Sequence, residues 1–181
     1  MSKRQTLQAL LNELGIKDWD VLLIGDGSGS AWNMGSGWGC VSIEKATQLR
    51  RSWYGACNLG STNLAEIMAY IHPLTWYARE QVKSKSSQFK QIHIITDSSY
   101  LASKGMQDDN NFGLDKAIWH MFDVFQSFGL VLNWHWARRE TIELNCLVDR
   151  ISKDARKNLA ELFEEKTLNE TMYLFNKLEE K

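Results

Sequence analysis

The sequence predicts a single α/β domain in which three strands lead into helices that alternate with two further strands. Two observations predict this class. Apolar runs near residues 21–25 and 92–96 are short and bounded by glycine, serine or aspartate, which is typical of buried strands. Longer segments after them carry apolar residues at helical spacing. A chain of 181 residues is long enough for one well-buried core and short for two.

The first predicted elements are a helix and three strands. Ser2 can cap an amphipathic helix that Gly15 would end. The apolar run that follows is predicted to be a buried strand that passes into a glycine and serine loop, with Asp26 at its far end. Glycine-rich turns and short apolar runs over residues 31–60 predict two more strands in an antiparallel meander.

The middle of the chain is predicted to form a long helix, a strand and a short helix. The long helix covers residues 61–84, and Pro73 should kink it or end its first half. The second apolar strand ends at Asp97, and Ser98 could cap the short helix that follows.

The last part of the chain is predicted to contain a helix, a strand and further helix. An amphipathic helix stops at Gly129, and "LVLNWHW" continues as a strand. The chain is predicted to be helical from Ile142, and "TLNE" at residues 167–170 is a capping-box pattern that can begin a separate last helix. We therefore divide the chain into an N-terminal helical extension (1–20), a central α/β domain (21–156) and a C-terminal helical extension (157–181).

Charge and cysteine usage exclude some classes of protein. The 21 basic and 22 acidic residues give a formal charge of -1, which is not the strongly basic balance of many nucleic-acid-binding proteins, although the local field matters more. The three cysteines lack CxxC spacing, which argues against a disulfide framework or a zinc site. The polar start and the lack of any apolar stretch of about 18 residues predict a cytoplasmic protein without a membrane span.

Four carboxylates occur where the predicted elements could bring them together. Asp26 and Asp97 end two strands that would share one sheet edge if they were parallel neighbours. Glu66 follows a possible N-cap, Asn63, by three residues, and Asp149 lies on the helix after the last strand. Acidic oxygens select hard cations such as Mg²⁺ or Mn²⁺, and two such ions can catalyse phosphodiester hydrolysis.

Each carboxylate also has a purely structural interpretation. Asp26 could be a turn residue, and Glu66 could be a capping-box member. Asp97 could be an acid favoured by a helix dipole, and Asp149 could lie on a solvated helix face. Only their joint occurrence in this order favours a metal site.

Four segments resemble motifs of the type 1 ribonuclease H family in the same order: "DGSGS", "STNLAEIMA", "ITDSSYL" and "NCLVDRISKDA". "NMGSGWG" and "LNWHW" resemble the loop before the family's second strand and its last strand. The resemblance covers roughly residues 21–156. It implies a five-stranded mixed sheet, three antiparallel strands and then parallel strands, flanked by helices, with extra helices at both ends of the chain.

The resemblance also implies an activity and a set of ligands. The family hydrolyses the RNA strand of RNA/DNA hybrids with two Mg²⁺ ions, for which Mn²⁺ can substitute, and reads RNA through its 2′ hydroxyls. Asp26 would bridge the ions, Glu66 and Asp97 would hold one, and Asp149 the other. Contacts to the hybrid are implied for Asn63, Thr62, Asn33 and Ser98, and basic candidates are Arg138, Arg139, Arg150, Lys153 and Arg156.

Three departures from the family pattern limit these expectations. The usual loop histidine is replaced by Arg139 or Glu140, and His135 lies on a strand, where a packing or surface role is expected. Ser99 replaces the usual glutamine. The span between Gly105 and Leu114 is too short for the family's basic protrusion.

Two other functions remain open. One is a nucleic-acid-binding protein that has lost turnover on the same fold, and the other is a DNA nuclease or strand-transfer enzyme of the superfamily. The terminal helices could cover a sheet face, dimerise or dock a protein partner. Of the tryptophans, Trp32 and Trp38 are candidates for nucleic-acid contact, whereas Trp119, Trp134 and Trp136 are expected in the core.

Overall fold

The computed structural model describes residues 4–29, 35–57, 62–86, 88–105 and 114–166. Over these residues the chain forms five strands and five helices in the predicted order. The elements are α1 (Leu7–Glu13), β1 (Val21–Gly29), β2 (Ser36–Glu44), β3 (Arg50–Cys57), α2 (Thr62–Ser84), β4 (Lys90–Thr96), α3 (Ser99–Gly105), α4 (Leu114–Ser127), β5 (Leu130–Trp136) and α5 (Glu143–Lys166).

The five strands form one mixed sheet in the order β3-β2-β1-β4-β5. β1, β2 and β3 pair antiparallel, whereas β1 with β4 and β4 with β5 pair parallel. This confirms the predicted sheet. Because β1 and β4 are parallel neighbours, their carboxyl ends lie at the same edge of the sheet.

β1 does not stop where the glycines begin, so the prediction of a loop after Asp26 was wrong. The strand pairs with β2 as far as Gly29, and Asp26 lies opposite Gly39. The glycines serve packing rather than a turn, since α2 lies directly on the strand. A Cβ atom on Gly27 would lie 2.3 Å from the backbone nitrogen of Glu66, and one on Gly29 would lie 2.5 Å from that of Thr62.

α1 begins later than predicted. Thr6 is its N-cap, and the Thr6 hydroxyl oxygen accepts a hydrogen bond from the Ala9 backbone N–H at 3.2 Å. Ser2, the predicted cap, lies outside the described residues. The predicted end is correct, because Gly15 has a φ of 69°, a left-handed conformation that glycine adopts without strain.

α2 is a single helix of 23 residues with Pro73 inside it, so the proline does not end its first half. Residues on both sides of Pro73, including Ile71 and Leu74, are buried against the sheet. This packing outweighs the local cost of the missing N–H group. The helix also begins at Thr62, which places Asn63 inside its first turn rather than at the N-cap.

The sheet has an apolar core on each face. One core lies under α2, α3 and α4 and contains Tyr70, Tyr77 and Phe122. The other lies under α1 and α5, where Leu10 and Leu11 pack with strand residues of β1, β2 and β4. α1 therefore covers part of a sheet face, which was one of the roles considered for a terminal helix.

α5 runs without a break through residue 157 to Lys166, so the start of the predicted C-terminal extension continues the same helix. The capping-box pattern at residues 167–170 lies outside the described residues. None of the helices in the described part of the chain combines the length and the apolar character needed to cross a bilayer.

Candidate metal centre

The candidate site lies where β1 and β4 separate. Their parallel pairing extends to Ile24 and Ile95 and not beyond. Asp26 follows two residues later on β1, and Asp97 comes immediately after β4. The side chains of these two residues therefore enter a crevice at the carboxyl edge of the sheet, which is the usual ligand site of such sheets.

Tyr70 of α2 lies where β1 and β4 stop pairing with each other. Its hydroxyl oxygen accepts a hydrogen bond from the Gly25 N–H at 3.2 Å and lies 3.0 Å from the Gly25 carbonyl and 3.1 Å from the Ile95 carbonyl, to either of which it can donate. The side chain is fully buried. Tyr70 thus holds the backbones next to Asp26 and Asp97 in place. The sequence contained one signal for it: a tyrosine one helical turn beyond Glu66, whose hydroxyl needs a partner if the ring is buried.

We expect Tyr70→Phe to lower the free energy of unfolding by about 2 kcal/mol, because it leaves buried backbone polar groups of β1 and β4 without a partner. Urea unfolding measures the change. Tyr54→Phe is the matched control, since Tyr54 is 70% exposed and its substitution should cost less than about 0.5 kcal/mol. Equal effects of the two substitutions would contradict this role for Tyr70.

Three of the four predicted ligands form a compact cluster. One carboxylate oxygen from each of Asp26, Glu66 and Asp97 lies within 4.8 Å of the other two. Asp26 and Glu66 are 5% and 7% exposed. The Glu66 Oε2 atom is buried and has no hydrogen-bond partner among the described residues. A buried, unpaired carboxylate oxygen facing two further acids is costly unless a cation neutralises it, so this donor set fits a hard divalent ion.

Without a cation, the cluster holds protons tightly. Burial, reinforced by the charge of Asp97, raises the pKa of Asp26 to about 6. Burial and then the charges of Asp26 and Asp97 raise the pKa of Glu66 to about 9. Burial also raises the pKa of Asp97. Divalent ions would displace these protons, so the affinity for metal should increase with pH.

Asp149 stands beside the cluster and is linked to it through Arg139. Nη2 of Arg139 donates to Oδ1 of Asp149 at 2.6 Å, and Nζ of Lys153 donates to Oδ2 at 2.7 Å. Although burial acts to raise it, these hydrogen bonds leave the pKa of Asp149 below its ordinary value. The same Arg139 group lies 3.9 Å from Asp26 and 3.8 Å from Asp97.

The residues predicted to contact substrate have different surroundings in the structure. Thr62 and Asn63 are exposed at the start of α2, and Arg138 is exposed beside Arg139. Ser98 caps α3, since its Oγ lies 3.4 Å from the Leu101 N–H that donates to it. Asn33 lies outside the described residues.

The other basic candidates have different surroundings. Lys153 is held by Asp149, whereas Nη1 of Arg156 donates to the Gly29 carbonyl at 2.8 Å. Arg150 is exposed. His135 lies on β5 and packs against another histidine, His93, with 5.0 Å between the stacked ring centroids.

Two tryptophans differ from the prediction. Trp38 is only 6% exposed and lies under the ring of His72, on which it stacks, so nucleic acid cannot reach it. Trp136 is 49% exposed, and its Nε1–H donates to the Asp97 carbonyl at 3.1 Å, which places it at the rim of the site rather than in the core. Trp134 packs against the core as predicted. Trp32 and the side chain of Trp119 lie outside the described part of the chain.

We expect the metal-free protein to lose stability as the pH rises from about 7 to about 9, by up to about 2 kcal/mol. In this range the unfolded chain has an ionised Glu66, whereas in the folded protein its pKa is about 9. A raised carboxyl pKa stabilises the fold below the unfolded value and loses that effect as the pH approaches the folded value. His93 and His135, whose pKa values are lowered, act below this range.

Urea unfolding in a chelating buffer at several pH values measures this effect. Saturating Mg²⁺ should flatten the decline, because the ion replaces the proton on the carboxylates. A stability that is constant or rises with pH in the chelating buffer would contradict the assignment of a raised pKa to Glu66.

Comparison with known proteins identifies the fold. No protein-family model and no curated protein matches the sequence. Solved structures do match, however. The N-terminal RNase H domain of rv2228c from Mycobacterium tuberculosis has a TM-score of 0.62 at 18% identity, over 80% of this chain and 98% of that one.

Two further structures agree with this match. LC11-RNase H1 in complex with an RNA/DNA hybrid has a TM-score of 0.62 at 15% identity, over 76% of this chain and 97% of that one. RNase H1 from the halophilic archaeon Halobacterium salinarum has a TM-score of 0.59 at 18% identity, over 76% of this chain and 98% of that one. The chain therefore has the ribonuclease H fold.

Proposed function

We propose that this chain, which has the ribonuclease H fold, is a metal-dependent endonuclease that hydrolyses the RNA strand of RNA/DNA hybrids. One observation carries the proposal: Asp26, Glu66 and Asp97 converge within 4.8 Å at the carboxyl edge of the sheet, and Glu66 has a buried oxygen without a partner. The structure of LC11-RNase H1 with a bound RNA/DNA hybrid supports the choice of substrate.

The same residues would hold the metal ions. Asp26, Glu66 and Asp97 would bind one Mg²⁺ ion, and Asp149 together with Asp26 would bind a second, with Mn²⁺ as a possible substitute. When bound, such ions lower the pKa of an attacking water and stabilise charge on the leaving oxygen. The protein contributes the acidic oxygens, their fixed spacing and a partly buried crevice in which their charges are weakly screened.

Other residues near the crevice would contact the nucleic acid. Thr62 and Asn63 lie at the N-terminus of α2, where free backbone N–H groups and the helix dipole favour a phosphate or a 2′ hydroxyl. Trp136 offers an exposed ring at the rim of the site, on which a sugar or base could pack. Arg138 and Arg139 would provide positive charge on the same side.

One observation favours a second candidate, a nucleic-acid-binding protein without turnover. Asp149 already has two cationic partners, Arg139 and Lys153, and the loop over residues 137–142 contains no histidine. Under that alternative the protein would bind the hybrid but leave it intact.

Incubation with labelled RNA/DNA hybrid, double-stranded RNA and double-stranded DNA, each with Mg²⁺, with Mn²⁺ and with chelator, tests the proposal. We expect metal-dependent cleavage of the hybrid, and a loss of at least about 1000-fold in Asp26→Asn, which removes a charge from the cluster. Asp154→Asn, which removes an exposed acid of α5, is the control and should retain activity.

Three results would count against the proposal. Binding of the hybrid without cleavage of any substrate favours the binding protein, and cleavage of DNA alone favours a DNA nuclease. Cleavage that survives both chelation and Asp26→Asn would show that the activity arises elsewhere.

A further inference from the structure

The guanidinium group of Arg139 lies among three carboxylates. Its nitrogen atoms are 2.6 Å from Asp149, 3.9 Å from Asp26 and 3.8 Å from Asp97. Only the contact with Asp149 is short enough for a hydrogen bond. Arg139 therefore stands between Asp149 and the cluster.

Positive charge is unevenly distributed over the site. At the Asp149 end, Arg139 and Lys153 each donate to one carboxylate oxygen, so both oxygens are occupied. At the other end, Glu66 forms no ion pair among the described residues, and its Oε2 atom has no hydrogen-bond partner. A first divalent ion thus meets acidic oxygens that no cation in the described part of the chain holds at hydrogen-bond distance, although Oδ2 of Asp26 accepts from the Ser152 hydroxyl at 3.4 Å. A second ion near Asp149 meets a resident cation.

The second ion and the guanidinium group require the same space. Mg²⁺ binds carboxylate oxygens at about 2.0 to 2.1 Å, so an ion shared by Asp26 and Asp149 must lie between them. Nη2 of Arg139 occupies this region, because it contacts Oδ1 of Asp149 at 2.6 Å and lies 3.9 Å from Oδ2 of Asp26. Two positive groups at such short range also repel each other.

We propose that Arg139 is a built-in counter-ion that occupies the second cation position in the metal-free protein and must leave Asp149 before a second divalent ion can bind. This inference rests on the proposed function and refines it. The first ion binds without displacing a side chain, and the second binds in competition with Arg139. The Arg139 side chain is 59% exposed, so it can rotate into solvent without breaking buried packing.

Calorimetric titration with Mn²⁺, without nucleic acid, measures the competition. In the unmodified protein we expect one tighter and one weaker site. Arg139→Gln should strengthen the weaker site at least about tenfold and leave the tighter site nearly unchanged, because it removes the competing charge. Arg139→Lys, which keeps a positive charge, should gain less than Arg139→Gln.

Arg79→Gln is the control, since it removes an exposed positive charge from α2 about 20 Å along the helix from Glu66. It should leave both sites unchanged. A second measurement needs no variant: in an NMR titration with Mg²⁺, the Arg139 Nη–H resonances should shift mainly in the second binding phase. Nη2 is hydrogen-bonded to Asp149, whereas Nε lies beside Asp97, a ligand of the first ion.

Two results would overturn the inference: an equal or weaker second site in Arg139→Gln, or an Arg139 resonance that does not respond to the second ion. Either result, together with metal-dependent cleavage of the hybrid, would leave the proposed function intact. If the unmodified protein binds no divalent ion and cleaves no substrate, the proposed function fails and this inference fails with it.

Discussion

Substitution of Gly27 by alanine is expected to lower the free energy of unfolding by at least about 3 kcal/mol, or to prevent folding. The added Cβ atom would lie 2.3 Å from the Glu66 backbone nitrogen and 2.6 Å from the Ala65 carbonyl carbon. Neither atom belongs to a flexible side chain, so the whole start of α2 must move away from β1. Because Glu66 moves with it, any protein that still folds should also bind metal more weakly.

Gly15→Ala is the control for Gly27→Ala. Gly15 has nothing within 4 Å of an added Cβ atom, and the cost there comes from its φ of 69° alone, about 1 to 2 kcal/mol. Thermal or urea unfolding compares the two proteins. A Gly27→Ala protein that is as stable as Gly15→Ala would mean that α2 does not lie on the strand backbone at this point.

Glu66→Gln is expected to have opposite effects on stability and on activity. The metal-free protein should become more stable near pH 8, because the substitution removes a buried carboxylate whose pKa is raised to about 9. The decline in stability between about pH 7 and about pH 9 should disappear with it. Metal binding should weaken and, under the proposed function, cleavage should fall at least about 100-fold.

Unfolding by urea in a chelating buffer and in Mg²⁺ measures both effects of Glu66→Gln. Glu80→Gln on the same helix is the control, since Glu80 lies about 20 Å further along α2 and pairs with Lys83. A Glu66→Gln protein that is less stable than the unmodified protein in the chelating buffer would contradict the assignment of an unpaired, buried charge at this position.

The fold was largely predictable because each strand and helix has a local signal. The apolar runs that end near Asp26 and at Asp97 and the helical spacing in α2 and α4 led to the correct order of elements. The errors have physical reasons. Glycines in β1 looked like a turn because the helix packed on them is close only in three dimensions, and Pro73 looked like a helix end because burial around it was not visible locally.

The candidate site was predictable in part. Asp26, Glu66 and Asp97 converge because strand order and helix position bring them together, and these follow from the order of elements. The ion pair of Asp149 could not be predicted from the order of elements, because its partner Arg139 lies in a loop without periodicity. Tyr70 and Trp136 were missed for a similar reason, since their hydrogen bonds join elements distant in the sequence.

The loop that carries Arg139 is tied down on both sides. The Ala137 N–H donates to the Thr96 carbonyl at 2.9 Å, the Gln5 N–H donates to the Thr141 carbonyl at 3.0 Å, and the Ile142 N–H donates to Oδ1 of Asn145 at 3.2 Å. The backbone beneath Arg139 is therefore fixed, whereas its side chain is exposed. Under the inference drawn for Arg139, the guanidinium group would leave Asp149 by rotation about side-chain bonds, a motion of picoseconds to nanoseconds, without any slower opening of the loop. If the chain turns over substrate as proposed, this rotation is too fast to limit that turnover.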